Sequence, residues 1–185
     1  MTQFLTELVD AAVEMIAEEG LGSVSLTSLA RRAGVSRAST YREFGDKNGL
    51  VSAVARSELE RMSRQALDEI DLLASSGDLV RATMLFALRY LRGHAALRRV
   101  IAYEPMELIN VAVQHEGSML NLVETVAALI IPLLALRAED DLIEAFSPEQ
   151  AAEIMVRTVL SHVLIERSTL TDDQVADMMV RALLR

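Results

Sequence analysis

The feature that most constrains this fold is a pair of short amphipathic segments separated by only three residues. Residues 26–33 carry apolar side chains at helical spacing and end at Gly34, and residues 37–44 start after Ser36 and end at Gly45. Helices of about eight residues are not stable alone in water, so each must pack against a neighbour. A short turn that contains glycine makes the two segments cross closely, which is typical of a helix-turn-helix motif.

The remainder of the chain predicts further helices and no strands. Leu, Ala, Val, Ile and Met supply most apolar residues and aromatic residues only 4%, a composition that favours helices around an aliphatic core. Apolar residues recur every three or four positions, which predicts one helix before the motif and about six after it. These helices span residues 4–19, 47–74, 79–91, 95–103, 106–136, 148–166 and 171–184, and Gly117 and Pro132 are expected to kink or split the longest. We therefore predict an all-α fold.

Side chains able to cap a helix precede most of these segments. A cap residue accepts a hydrogen bond from a backbone N–H in the first helical turn. The predicted caps are Ser25, Ser36, Asp46, Asp78, Ser147 and Thr171. Gln150 and Gln174 each stand three residues after such a cap, which completes a capping-box pattern at the start of the last two helices.

The charge of the chain is unevenly distributed. The formal net charge is −9, yet residues 23–49 carry five basic and two acidic side chains. Residues 51–185 carry 13 basic and 20 acidic ones. A protein that binds nucleic acid needs a positive face rather than a positive total charge, so the helix-turn-helix region is the candidate face.

The composition also disfavours several classes of protein. The chain has no cysteine, which excludes disulfides and thiolate metal sites. Its longest apolar run, residues 126–136, is broken by Pro132 and would reach about 16 Å as a helix, roughly half of a bilayer core. Because the first residues also lack the pattern of a signal peptide, we expect a soluble, cytoplasmic protein.

No pattern in the sequence predicts catalysis or a metal site. His94, His115 and His162 lack the spacing of four that places two ligands on one helical face. A phosphate-cradling glycine loop, a serine–histidine–acid pattern and paired carboxylates in an apolar frame are also missing. We therefore expect no enzyme, no metal and no cofactor, and no membrane partner. An all-helical carrier of small molecules, or an interaction module without DNA binding, is the alternative function.

The helix-turn-helix region offers the chemistry that reads DNA. From Arg37 to Arg42 the chain presents small side chains, hydroxyl groups and two guanidinium groups, and arginine reads guanine edges or grips phosphates. The stretch resembles the DNA-binding domain of the TetR (tetracycline-repressor) family of transcriptional regulators. The matching residues, within about a quarter of the chain, are Gly20, Ser25, Leu29, Ala30, Ala33, Gly34, Val35, Ser36, Tyr41, Phe44, Lys47 and Leu50.

This resemblance implies a division of the chain and a set of DNA contacts. It implies a DNA-binding domain over residues 1–46 and a helical ligand-binding and dimerisation domain of about six helices over residues 47–185. The chain is then expected to be a ligand-responsive regulator, in the usual case a repressor, on a double-stranded DNA operator. The resemblance implies phosphate contacts from Ser25, Tyr41 and Lys47, base or backbone contacts from Arg37, Ser39 and Arg42, and positions near the DNA backbone for Thr27 and Ser28.

Two residues depart from the family pattern. Thr40 stands where the family has an apolar residue that packs inward, and Glu43 stands where a neutral or basic residue is more common. A carboxylate at Glu43 would repel phosphate if it faced the groove. In the first segment of the motif, Arg31 and Arg32 are interpreted as surface charges rather than base-reading groups.

The second domain is expected to bind a small-molecule effector of unknown identity and largely apolar character. The many methionines of this half more often fill a core than line a binding surface, so aromatic and polar residues are the better candidates. The predicted pocket is an apolar cavity among helices four to eight, and it is bordered by Phe86, Tyr90, Tyr103 and His115.

A wide apolar stripe on each of the last two helices predicts a homodimer. One side of each stripe packs on the body of the chain and the other meets a partner, which gives a four-helix bundle about a two-fold axis. The predicted interface residues are Met155, Val159, Val163, Met178 and Met179. Such a dimer would place two recognition helices on a pseudo-palindromic operator.

Overall fold

The computed structural model describes residues 3–106, 122–135, 146–165 and 167–184. Within these ranges the chain forms nine α-helices and no β-strand, so the predicted all-α fold with three helices followed by about six is confirmed. The helices are α1 (Gln3–Glu19), α2 (Leu26–Arg32), α3 (Arg37–Phe44), α4 (Lys47–Glu69), α5 (Ser76–Gly93), α6 (Ala95–Tyr103), α7 (Leu122–Ala135), α8 (Pro148–Leu164) and α9 (Asp172–Leu183). The part of the predicted helix 106–136 before Leu122 lies largely outside the described residues. No helix of the described ranges combines the length and apolar character that a membrane span needs.

Most helices start where their capping residues predict. Ser25 and Ser36 accept backbone N–H groups at the starts of α2 and α3, and Ser147 and Thr171 complete capping boxes on α8 and α9. At α4, the carboxylate of Asp46 accepts the backbone N–H of Gly49 over 2.8 Å. These bonds satisfy donors that the first turn of a helix otherwise leaves without a partner.

The start of α5 and the end of α4 differ from the prediction. The helix α5 begins at Ser76 rather than at residue 79, because its capping residue is Ser75 and not Asp78. The Ser75 hydroxyl accepts a hydrogen bond from the backbone N–H of Asp78. The Ser75 hydroxyl in turn donates to the Asp78 carboxylate over 2.7 Å. The helix α4 ends at Glu69, five residues earlier than predicted.

The chain divides into two compact units. One comprises Met1–Arg61 with His94–Leu120, and the other comprises Met62–Gly93 with Asn121–Arg185. This division falls inside α4 and assigns α6 to the same unit as the three N-terminal helices. The predicted boundary at residue 47 concerns function rather than compactness, and it stays a prediction.

The first unit is built around the apolar stripe of α1. Leu8, Val9, Ala12 and Ile16 follow one another at helical spacing and are buried. They belong to a core to which α2, the end of α3, the start of α4 and α6 also contribute. The helix α1 contacts α6 and α2, and α2 contacts α3, so this core supports the helix-turn-helix motif.

The second unit is centred on α5, α8 and α9. The helix α5 contacts α8 and α9, and α7 contacts α8. At the surface of this unit, Arg81 of α5 donates to the carboxylates of Asp173 and Asp177 on α9. The buried side chains of α8 and α9 are Ala151, Ala152, Met155, Val156, Val159, Val163, Val175, Ala176, Met179 and Leu183.

Candidate nucleic-acid interface

A glycine makes the turn between α2 and α3. Gly34 has φ +68°, in the left-handed region that costs other residues conformational energy. On either side of it, Ala33 donates its backbone N–H to the carbonyl of Leu29 over 2.9 Å, and Val35 donates to that of Ala30 over 3.0 Å. These bonds end α2 and redirect the chain, so that α3 starts three residues later.

The inward face of α3 carries Thr40 and Phe44. Thr40 is fully buried and Phe44 is buried with it. The hydroxyl of Thr40 donates to the carbonyl oxygen of Arg37 over 2.8 Å, and the carbonyl oxygen of Leu26 lies within donating distance at 3.3 Å. Thr40 therefore packs inward, at a position where the family has an apolar residue, and its hydroxyl is satisfied by the backbone of α2 and α3.

The outward face of α3 carries most of the predicted DNA contacts of this helix. Its exposed side chains include those of Arg37, Ala38, Tyr41 and Arg42. Arg37 and Tyr41 stand four residues apart, as do Ala38 and Arg42, so each pair shares a face of the helix. The Tyr41 side chain is large and apolar, yet 52% of the residue is exposed. The Arg42 guanidinium reaches the carboxylate of the exposed Glu43 only at 4.0 Å. The two arginines and the tyrosine thus form a polar, cationic surface without tight ion pairs.

The predicted serine contacts are already engaged in capping. Ser25 accepts the N–H of Ser28 over 3.1 Å, and Ser28 accepts the N–H of Ser25 over 2.9 Å. The Ser39 hydroxyl lies 2.9 Å from the hydroxyl of Ser36. Thr27, between the two serines of the first box, is half-buried. Each hydroxyl oxygen has further bonding capacity, so capping and a DNA contact are compatible.

Lys47 is held at the start of α4 by the loop before α2. Its ammonium Nζ donates to the carbonyl of Gly22 over 3.2 Å. The backbone N–H of Gly22 in turn donates to the carboxylate of Glu104, at the end of α6. Sequence reasoning missed this role of Glu104, since a bond between residues 82 apart leaves no local pattern.

The two arginines of α2 differ in their surroundings. Arg32 forms two hydrogen bonds with Glu18 and lies 3.7 Å from the carboxylate of Glu14. The bond from Arg32 lowers the pKa of the Glu18 carboxyl below its usual value, and Glu18 raises the pKa of Arg32. Arg31 is exposed on another side of the same helix. Arg32 is therefore a structural ion-pair residue, whereas Arg31 faces solvent.

The predicted effector pocket is brought together only in part. Phe86 and Tyr90 are in contact, with ring centroids 5.7 Å apart, and Phe86 lines an open surface pocket in the second unit. Tyr103 belongs to the first unit, is 69% exposed and lies under the guanidinium of Arg99. His115 lies outside the described residues. The pocket bordered by all four residues stays a prediction.

Burial places most of the predicted dimer residues inside the chain's own core. Met155, Val159, Val163 and Met179 are each no more than 6% exposed within one chain. A side chain that is already enclosed by its own unit presents no surface to a partner. Of the five residues, Met178 is the exposed one, at 43%. The interface on α8 and α9 stays a prediction, and of its five predicted residues Met178 is the one that the single chain leaves exposed.

Comparison with known proteins supports the interpretation of this site. Residues 8–54, from α1 into α4, match the model of the family described as bacterial regulatory proteins, tetR family. The HTH-type transcriptional regulator BetI of Rhizobium meliloti (strain 1021) is 34% identical over 82 residues, which are 44% of this chain and 40% of BetI. The chain thus matches less than half of the length of this relative.

Solved structures extend the likeness to the whole fold. The transcriptional repressor QsdR of R. erythropolis, from the TetR family, gives a TM-score of 0.69 at 23% identity and covers 97% of this chain and 93% of its own. AibR, solved in complex with isovaleryl coenzyme A and operator DNA, gives 0.59 at 19% identity and covers 97% of both chains. At these identities the likeness shows the fold. The sequence match to the tetR family of bacterial regulatory proteins covers residues 8–54, so it is a similarity of the N-terminal part of the chain.

Proposed function

We propose that this protein is a transcriptional regulator that binds double-stranded DNA through α2 and α3. The observation that carries the proposal is the outward face of α3, where Arg37, Tyr41 and Arg42 are exposed while Thr40 and Phe44 anchor the helix. A rigid helix with exposed guanidinium groups suits the major groove, where arginine pairs with guanine, and phosphates, which arginine grips. The surplus of basic residues in this region agrees with such a partner.

A homodimer on a pseudo-palindromic operator is part of the proposal. One short recognition helix reads few base pairs, and a two-fold dimer doubles them by placing two such helices about 34–36 Å apart, or a multiple of it. The exposed apolar side chains of the second unit supply a surface for the partner. Leu164 of α8 is 40% exposed, Met178 of α9 is 43% exposed, and Ile165 just after α8 is 62% exposed. We place the interface on these side chains.

A small-molecule effector completes the proposal. The second unit has an open surface pocket of about 400 Å³ beside α5, lined by Glu69, Ile70, Asp78, Arg81, Ala82, Leu85, Phe86 and Arg89. The charged groups in this lining are largely paired, Arg81 with Asp173 and Asp177, and Arg89 with Glu69. A ligand that binds better to the conformation unable to hold DNA would release the operator, as repression by this mechanism requires. AibR, which has this fold, binds a small molecule and operator DNA.

Binding to DNA as a function of salt tests the proposal. Random double-stranded DNA is selected on the purified protein, and the affinity for the enriched sequence is measured by fluorescence anisotropy between about 50 and 200 mM salt. We expect one enriched, two-fold symmetric sequence, with log affinity falling linearly with log salt. A helical carrier or interaction module would enrich no sequence, and that result would exclude DNA regulation.

A further inference from the structure

The carboxylate of Glu104 holds the loop between α1 and α2 through two backbone hydrogen bonds. Its Oε2 accepts the N–H of Leu21 over 2.6 Å and its Oε1 accepts the N–H of Gly22 over 3.0 Å. Glu104 itself follows the last residue of α6, and its backbone N–H ends that helix on the carbonyl of Val100. Hydrogen bonds to an ionised acceptor are stronger than neutral ones, so this pair of bonds ties the loop to the end of α6.

Two glycines make room for this carboxylate. A Cβ atom at Gly20 would lie 2.9 Å from Oε1 of Glu104, and one at Gly22 would lie 2.8 Å from the same atom. Gly20 also has φ +90°, which side chains disfavour, whereas Gly22 has no such backbone restriction. The close approach of Glu104 to the loop therefore depends on the absence of a side chain at position 22.

The opposite side of the same glycine contacts Lys47. The carbonyl oxygen of Gly22 accepts the ammonium Nζ of Lys47 over 3.2 Å. Gly22 is therefore bonded to a carboxylate through its N–H and to an ammonium through its carbonyl. Lys47 is the one lysine of the sequence and a predicted phosphate contact. Two hydrogen bonds in series thus connect Glu104, through Gly22, to the ammonium of Lys47.

We propose that Glu104 is a positioning residue for Lys47 in DNA binding. By binding the N–H groups of Leu21 and Gly22, its carboxylate fixes the position of the Gly22 Cα, from which the next peptide extends its carbonyl to the lysine at the start of α4. A free lysine side chain samples many rotamers, so holding it before DNA arrives lowers the entropy lost on contact with a phosphate. This inference rests on the proposed function, because phosphate binding is what the positioned ammonium serves.

The direction in which the affinity for DNA changes distinguishes the positioning of Lys47 from a simple effect of the Glu104 charge. Glu104→Gln removes one negative charge, which by itself should raise the affinity for DNA. The amide retains one acceptor oxygen and replaces the other with a donor, so at most one of the two loop bonds survives. We expect operator affinity to fall about two- to tenfold at fixed salt, the range for losing the preorganisation of one long side chain. The matched control is Glu7→Gln on α1, an exposed glutamate with the same change in charge, which should leave affinity unchanged or slightly higher.

A second variant perturbs the same contact without changing any charge. Gly22→Ala places its methyl group against Oε1 of Glu104 and displaces the carboxylate, and we expect the same fall in affinity. If Glu104→Gln fails to fold by circular dichroism, Gly22→Ala carries the test. In a Lys47→Ala background neither substitution should reduce affinity further, since the group that they position is gone. Losses that simply add in the double variants would overturn the proposal.

The single lysine also gives a measurement that needs no DNA. In the NMR spectrum of protein labelled with ¹³C-lysine, the ε-methylene signal comes from Lys47 alone. We expect this signal to move in Glu104→Gln and Gly22→Ala and to stay in place in Glu7→Gln. An unmoved signal in the first two variants contradicts the positioning of Lys47. A moved signal in a protein that binds no operator would leave the positioning intact and reject the proposed function instead.

Discussion

Arg32 donates two hydrogen bonds to the carboxylate of Glu18, one from each terminal nitrogen, over 2.8 and 3.0 Å. Its neighbour Arg31 is exposed, and within the described ranges no side-chain hydrogen bond or ion pair involves it. Arg31 stands four residues after Thr27, so the two share a face of α2. We predict that Arg31→Gln weakens binding to all DNA sequences alike and lowers the salt slope by about one, as for a lost phosphate contact.

The matched control for that prediction is Arg32→Gln. It removes the same charge from the adjacent position, but from a guanidinium already bound to Glu18. We expect it to leave the salt slope near that of the wild type. Anisotropy titrations at four or more salt concentrations measure both slopes, and equal slopes for the two variants would contradict the assignment of Arg31.

The residues on the outward face of α3 should divide into two kinds by their effect on DNA binding. Tyr41→Ala should weaken binding to the operator and to unrelated DNA by the same factor, because a phosphate contact carries no sequence information. Arg37→Ala should change which sequence is preferred, since a guanine contact contributes about 1–3 kcal/mol of discrimination. Selection of random DNA on each variant measures both effects. If the Arg37→Ala variant keeps the operator preference, Arg37 contacts a phosphate rather than a base.

Thr40→Val tests the inward bond between α3 and α2. Valine has nearly the same shape as threonine but no hydroxyl, so the bonds to the carbonyls of Arg37 and Leu26 are lost. We expect the free energy of unfolding to fall by about 0.5–1.5 kcal/mol. Chemical denaturation monitored by circular dichroism measures it. Because Thr40 is buried, the salt slope of DNA binding should not change.

Two glycines of the motif should respond differently to alanine. At Gly34 an added Cβ meets no atom within 4 Å, so the cost is that of a left-handed φ alone, about 1–2 kcal/mol. At Gly49 the Cβ would overlap the carbonyl oxygen of Phe44, a backbone atom that has to move with the end of α3. We therefore expect Gly49→Ala to destabilise the first unit more than Gly34→Ala in thermal melts. The reverse order would contradict the packing of α4 against α3.

Aspartate substitutions on α8 and α9 should separate assembly from folding. Met178 is exposed, so Met178→Asp should leave the chain folded and shift a dimer toward monomer in light scattering. Val159 is buried within the chain, so Val159→Asp should lower the melting temperature strongly, because an unpaired buried charge costs several kcal/mol. A wild-type protein that is monomeric at micromolar concentration would reject the interface and the two-fold operator together.

Local bonds made much of this fold predictable. The caps at Ser25, Ser147 and Thr171 join residues three positions apart, so their spacing in the chain decides them. Where two good capping residues compete, spacing fails: Ser75 and Asp78 both suit the start of α5, and the earlier one is used. The inward direction of Thr40 is implied by the family resemblance, because threonine is found on the buried and on the exposed faces of helices.

The spacing of residues in the sequence thus predicts the helical class, the helix-turn-helix and the caps that begin most of its helices. Tertiary packing determines which distant residues and helices contact one another. Glu104 meets Leu21 across 83 residues, and Arg32 meets Glu18 from another helix. The apolar stripe of α8 is wide enough to face two ways, and its burial within the unit shows that Met155 and Val159 face the chain's own core. Helical periodicity identifies a face but not its neighbour, because the neighbour depends on how distant helices pack around a shared core.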